Sequence, residues 1–203
     1  LQIDPDSVED TLALGSSTSV SKTITTSAIP QILEFCLLSD ATGSFWNDQP
    51  NLRNAAPGIA DTILDESPGA KFGYAAFKDT GDNFVYSLRQ SLTTDKTAWL
   101  DSINNLNPSG GGDFPQAQWD GIACATDISY CKDGSKYSDA DCGFTTGTPS
   151  KKVLVVTTDA TFSNQADIKN DLTSTTAALQ GAGVTLIGLK ASGAGSEIGR
   201  AHV

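Results

Sequence analysis

The 203-residue chain contains no methionine and a single histidine, His202, and its 13 lysines and arginines are outnumbered by 24 aspartates and glutamates. Each shortage excludes something. A net charge of −11 leaves no basic surface to replace phosphate counterions, so nucleic acid is not a partner. One histidine beside the terminus, and cysteines without knuckle spacing, argue against a zinc site. No apolar run approaches the length of a membrane-spanning helix. No asparagine begins an acceptor sequence for N-glycosylation, since Asn107 is followed by Pro108. The absence of methionine even at position 1 points to a processed form or a fragment, with any targeting segment removed. No serine or cysteine has a matching base, and no carboxylate spacing suggests glycoside hydrolysis, so enzymatic activity is not expected.

Apolar residues make up 38% of the chain, enough for one domain with a real core and an appendage. Four cysteines, Cys36, Cys124, Cys131 and Cys142, in a Thr/Ser/Gly/Asp-rich chain lean towards a secreted or cell-surface protein with disulfides. Three pairings are open. Cys131 with Cys142 closes a short polar loop most simply, and Cys36, in mid-strand, equally suits a buried free thiol.

Residues 1–29 are Ser/Thr-rich, and Thr18 to Thr26 alternates as an exposed strand does. They read as an extended arm, the margin of a β-domain, or a flexible linker. From Pro30 to residue 192 strands and helices alternate. Strands are expected over Ile32–Ser39, Lys71–Lys78, Asn83–Leu92, Lys152–Thr158 and Val184–Leu189, the last buried and the third antiparallel at the edge. Helices are expected over Asn51–Leu64, with a kink at Pro57–Gly58, over Asp95–Leu106 with Thr94 as N-cap, from about Pro115, and over Asn164–Gln180. Residues 128–150 are a polar insertion carrying two cysteines. The tail, 193–203, is short and polar, and reads as truncated or foreign sequence. The fold class is therefore α/β: a doubly wound, mostly parallel, Rossmann-like sheet with helices on both faces.

The apolar run from Ile32 to Leu38 ends on Asp40, and two hydroxyl residues, Thr42 and Ser44, follow at alternate positions. A carboxylate at a strand end, with hydroxyls at +2 and +4, converges three hard oxygens on one point, the chemistry that Mg²⁺ selects. Two further segments fall where loops gather at the carboxyl ends of the strands. One is Gly110-Gly111-Gly112-Asp113-Phe114-Pro115-Gln116, and the other is Asp159, at the end of the Lys152–Thr158 run. Asp113 also suits the cap of the following helix, and Asp48 the first turn of another.

With these motifs the chain resembles the von Willebrand factor A domain family, and within it the integrin β-subunit I-like branch, over roughly Ile32 to Leu189. Asp40-Ala41-Thr42-Gly43-Ser44 is similar to the metal-ion-dependent adhesion site of that family. Asp113-Phe114-Pro115-Gln116, Trp119-Asp120-Gly121, Thr158-Asp159-Ala160 and the strand Lys71–Phe77 continue the likeness. The resemblance implies a Mg²⁺, with Mn²⁺ or Ca²⁺ able to replace it, held by Asp40, Thr42, Ser44, Asp113, Gln116 and Asp159. It implies an adjacent Ca²⁺ at Ser44, Asn47 and Asp48, and a ligand-contact rim of Phe45, Trp46 and Phe114. The expected partner is a protein or glycan bearing a carboxylate that completes the coordination sphere. Two departures lower the charge of these sites: Gln116 stands where the branch has Glu, and Asn47 where it has Asp. They are the best support for the alternative, a structural module of a larger surface protein with a vestigial site.

Overall fold

In a computed structural model the described residues are 2–4, 19, 21, 23–25, 32–112, 116–132, 134–147, 149–160 and 168–191. The chain divides into two compact units at Pro30–Gln31. In the first, β1 (Gln2–Asp4) pairs antiparallel with β2 (Thr23–Thr25).

The second unit contains β3 (Ile32–Asp40), α1 (Gln49–Glu66), β4 (Lys71–Phe77), β5 (Tyr86–Thr93), α2 (Lys96–Asn104), α3 (Gln118–Thr126), β6 (Ser150–Thr158), α4 (Leu172–Ala182) and β7 (Val184–Lys190). Its five strands lie in the order β5-β4-β3-β6-β7, all parallel except β5, which runs antiparallel at the edge. The fold is thus the α/β class that the alternation predicts. Parallel neighbours need crossovers, and the intervening helices supply them. Side chains alternate along β3: Phe35 and Leu37 join a core with Phe72, Trp99 and Ile103, while Cys36 and Leu38 join another with Phe77, Ile122 and Leu154. The first core receives Ala56 and Ala60 of α1, and the second Ala125 of α3 and Leu179 of α4. Both faces of β3 are therefore covered, which is why that strand reads as apolar without interruption of period.

Several expectations need correction. The disulfides are Cys36–Cys142 and Cys124–Cys131, so Cys36 is not a free thiol and Cys131 is not bonded to Cys142. The short-loop pairing fails because the insertion folds back across the sheet and sets Cys142 over the middle of β3. The N-cap of α2 is Asp95, whose carboxylate accepts from the Thr97 and Ala98 amides, and not Thr94. α4 begins at Leu172, because Asp171 and Ser174 form a capping box there. Residues 168–170 precede it outside the helix, and 161–167 lie outside the described residues. Pro115 also lies outside them, and α3 begins at Gln118. β7 is not buried: Ile187 and Leu189 are 44% and 48% exposed, since the strand occupies the sheet edge. Pro57 lies inside α1, as expected, and lacks the N–H to bond the Arg53 carbonyl.

The insertion is tied to the sheet a second time. Glu34, buried on β3, accepts from the amide and hydroxyl of Thr145, at 2.9 and 2.7 Å, and from Lys71 at 3.3 Å. Burial alone would raise the Glu34 carboxyl, but the Thr145 and Lys71 donors outweigh it and hold it below its ordinary value of 4.5. A depressed folded-state value means stability that is present above the ordinary carboxylate range and lost as pH falls through the lower folded value. The parent melting midpoint is therefore expected to fall as pH drops below the ordinary carboxylate value of 4.5, and Glu34→Gln to flatten that part of the profile. A pH series of thermal melts of both proteins checks this.

Candidate metal centre

The parallel register sets Ser39 beside Thr157, so the ends of β3 and β6 deliver Asp40 and Thr158–Asp159 to adjacent positions. From there β3 leads to β4 on one side while β6 and β7 lie on the other. This is the switch point at which open α/β sheets bind ligands. The Asp40 carboxylate is fully buried. Its Oδ1 accepts from the Thr42 amide at 2.8 Å and the Thr42 hydroxyl at 2.7 Å, and its Oδ2 accepts from the Thr158 hydroxyl at 2.6 Å. The Thr42 hydroxyl lies 3.3 Å from that of Ser44, and Ser44 donates to Asp159 Oδ1 at 3.0 Å. Two carboxylates and three hydroxyls thus form one connected set.

Burial pushes Asp40 up to about 6; the hydrogen bonds from Thr158 and Thr42 act against this, and the Asp159 charge adds to it. A buried carboxylate facing a second one is costly unless a cation receives them. The nearby ammonium, Lys78, is engaged elsewhere, donating to the carbonyl and hydroxyl of Ser109. Among the described residues no group of three or more His, Cys, Asp or Glu side chains gathers to hold a metal. The donor set here is two carboxylates with hydroxyls, hard oxygens of low total charge, and it fits Mg²⁺ better than a soft or highly charged ion.

The other predicted residues divide. Gln116 is buried, and a Cβ built on Gly111 would lie 3.5 Å from its amide nitrogen and 2.7 Å from Thr42 Cβ, so Gln116 borders the site. Asp113 and Phe114 lie outside the described residues. Asp48 is buried at the junction between the Gly43–Asn47 3₁₀ turn and α1, and Asn47 is exposed. Of the aromatic pair, Phe45 is 1% exposed and belongs to the interior, whereas Trp46 is 64% exposed beside the site.

Sequence reasoning missed Thr158, Lys78 and Asp82. Thr158 stands next to a proposed ligand and was in view; Asp82 lies in a turn remote in sequence, with no local signal. It accepts from the Gly111 amide through both oxygens, at 3.0 and 3.1 Å. Gly110 and Gly111 take positive φ, +78° and +73°, and a Cβ on Gly110 would fall 2.0 Å from Asp82 Oδ1. Gly110→Ala is expected to cost about 2 kcal/mol or more through the left-handed backbone and the displaced carboxylate. Urea unfolding of the variant measures it.

No family model and no curated protein matches the sequence. Among solved structures the chain is similar to proximal thread matrix protein 1 of the mussel byssus. The TM-score is 0.51 at 17% identity, over 78% of this chain and 35% of that one. The likeness is one of fold. This chain spans about a third of the mussel protein's length. The VWA domain of SpRpn10 aligns with a TM-score of 0.49 at 11% identity, over 80% of this chain and 91% of that one. The two disulfides fit an extracellular protein, and among the described residues no helix is long and apolar enough to cross a membrane.

Proposed function

We propose that the second unit is a secreted or surface-displayed, cation-dependent binding module of the von Willebrand A type, nearest to the integrin β I-like branch. The observation that carries this reading is the convergence of Asp40, Thr42, Ser44, Thr158 and Asp159 at the switch point, with Asp40 fully buried. Asp40, Thr42, Ser44 and Asp159 would hold Mg²⁺, or Mn²⁺ or Ca²⁺ in its place, with Thr158 orienting Asp40. Gln116, which borders the site, and Asp113 would complete the set. The bound ion supplies positive charge to a ligand carboxylate. Ser44 is the exposed member, and such a ligand would arrive there. Trp46 offers it an apolar rim, and an adjacent Ca²⁺ would use Ser44, Asn47 and Asp48. The partner is a protein or glycan bearing a carboxylate.

One observation favours the alternative, a structural module with a vestigial site: hydroxyls already donate to both oxygens of Asp40 and to Oδ1 of Asp159. Mn²⁺ titration followed by the free-ion EPR signal separates the two. Saturable binding by the parent chain that Asp40→Ala abolishes supports the cation site. Equal, weak uptake by both proteins supports the structural module.

A further inference from the structure

The turn between β4 and β5 grips the glycine loop with two opposite charges. Lys78, buried just past the end of β4, donates to the carbonyl of Ser109 and, at 3.1 Å, to its hydroxyl. Phe84 packs 5.0 Å from its ammonium. Asp82 takes the Gly111 amide with both oxygens and is itself fixed by the Asp79 amide at 3.3 Å. On its other side, the loop is bonded to the candidate site: the Ser109 amide to the Ala41 carbonyl and the Gly43 amide to the Gly110 carbonyl, each at 2.9 Å. Gly111 lies against Thr42, with no room for a Cβ between them. The order is therefore turn, glycine loop, Asp40–Ser44 segment, with each layer bonded to the next.

We infer that Lys78 and Asp82 are positioning residues for the cation site, a reading that rests on the function proposed above. Among the described residues neither is hydrogen-bonded to the site's oxygens; they act through Ser109–Gly111. The loop has no side chain of its own at Gly110–Gly112 to lock it, and two of its glycines sit in a backbone region that favours no particular partner. External clamps supply what the loop's own residues do not, and the same loop leads on to Gln116.

The charges allow a test by sign. If Lys78 acted only through its field, its removal would strengthen cation binding, because a positive charge near the ion is lost. If it positions the loop, its removal weakens binding. Mn²⁺ titrations of the full chain are therefore run on the parent, Lys78→Met, Asp82→Ala and Asp82→Asn. Thermal melts in EDTA and amide exchange at Gly43 and Gly111 accompany them. Lys78→Met and Asp82→Ala are expected to bind Mn²⁺ about tenfold more weakly, in the range found for residues that orient metal ligands. Asp82→Asn retains a carbonyl acceptor for Gly111 and should stay within about threefold of the parent. Faster exchange at Gly43 and Gly111 in the two weakened variants, with secondary structure retained, belongs to the same outcome. Tighter binding by Lys78→Met, or an Asp82→Ala affinity equal to the parent's, overturns the clamp alone. A parent chain that takes up no Mn²⁺ overturns the cation reading and this inference with it.

Discussion

Removing the Cys36–Cys142 bridge by paired alanine substitution is expected to lower the unfolding free energy by about 4–5 kcal/mol, the chain-entropy value for a closed loop of roughly a hundred residues. The two cysteines are 106 positions apart, so the bridge restricts most of the second unit in the unfolded state. The Cys124–Cys131 bridge spans only 7 positions, and its removal should cost about half as much, near 2 kcal/mol. Other bonds keep the insertion from being released altogether. Glu34 still holds Thr145, and Tyr137 still donates to the buried Asp120 at 2.6 Å. Urea unfolding of the two double variants against the parent measures the difference. Equal losses would mean that chain restriction does not set the size of the effect.

Magnesium at about 100 times its dissociation constant is expected to stabilise the parent by roughly 2.7 kcal/mol, provided it binds the native state alone. Asp40→Ala should show no such gain. Asp40→Asn makes the prediction sharper. Without cation, the parent buries a carboxylate that faces Asp159, and burial disfavours the charged form. Asparagine keeps an oxygen for Thr42 and removes the charge, while Thr158 can accept from the new amide nitrogen. The variant should therefore melt above the parent in EDTA and fail to respond to Mg²⁺, so that the two melting curves cross as cation is added. Thermal melts across a Mg²⁺ series show this directly. A variant that responds like the parent would remove Asp40 from the site.

Elements whose signal is local were readable. β3 and β6 announce themselves as apolar runs, each ending at an aspartate, and β5 was correctly placed at the antiparallel edge. Boundaries failed where a neighbouring polar side chain competed for the same role: Asp95 against Thr94, and Asp171 against an earlier start for α4. β7 was misread because hydrophobicity reports a tendency to be covered, and whether a partner element covers the strand is settled elsewhere in the chain.

Asp40, Thr42 and Ser44 were legible because hydrogen bonding between side chains two residues apart is a local property of a strand followed by a turn. Their joining to Asp159 and Thr158 was foreseeable only as two strand ends on one side of a sheet. The sequence by itself determined the alternation of elements, the hard-oxygen character of the strand ends and the even number of cysteines. The tertiary structure alone decided which cysteines pair, that Phe45 turns inward while Trp46 faces solvent, and that Lys78 and Asp82 hold the glycine loop. Those outcomes depend on which distant segments meet. Chain closure and packing select these meetings, and no short-range preference encodes them.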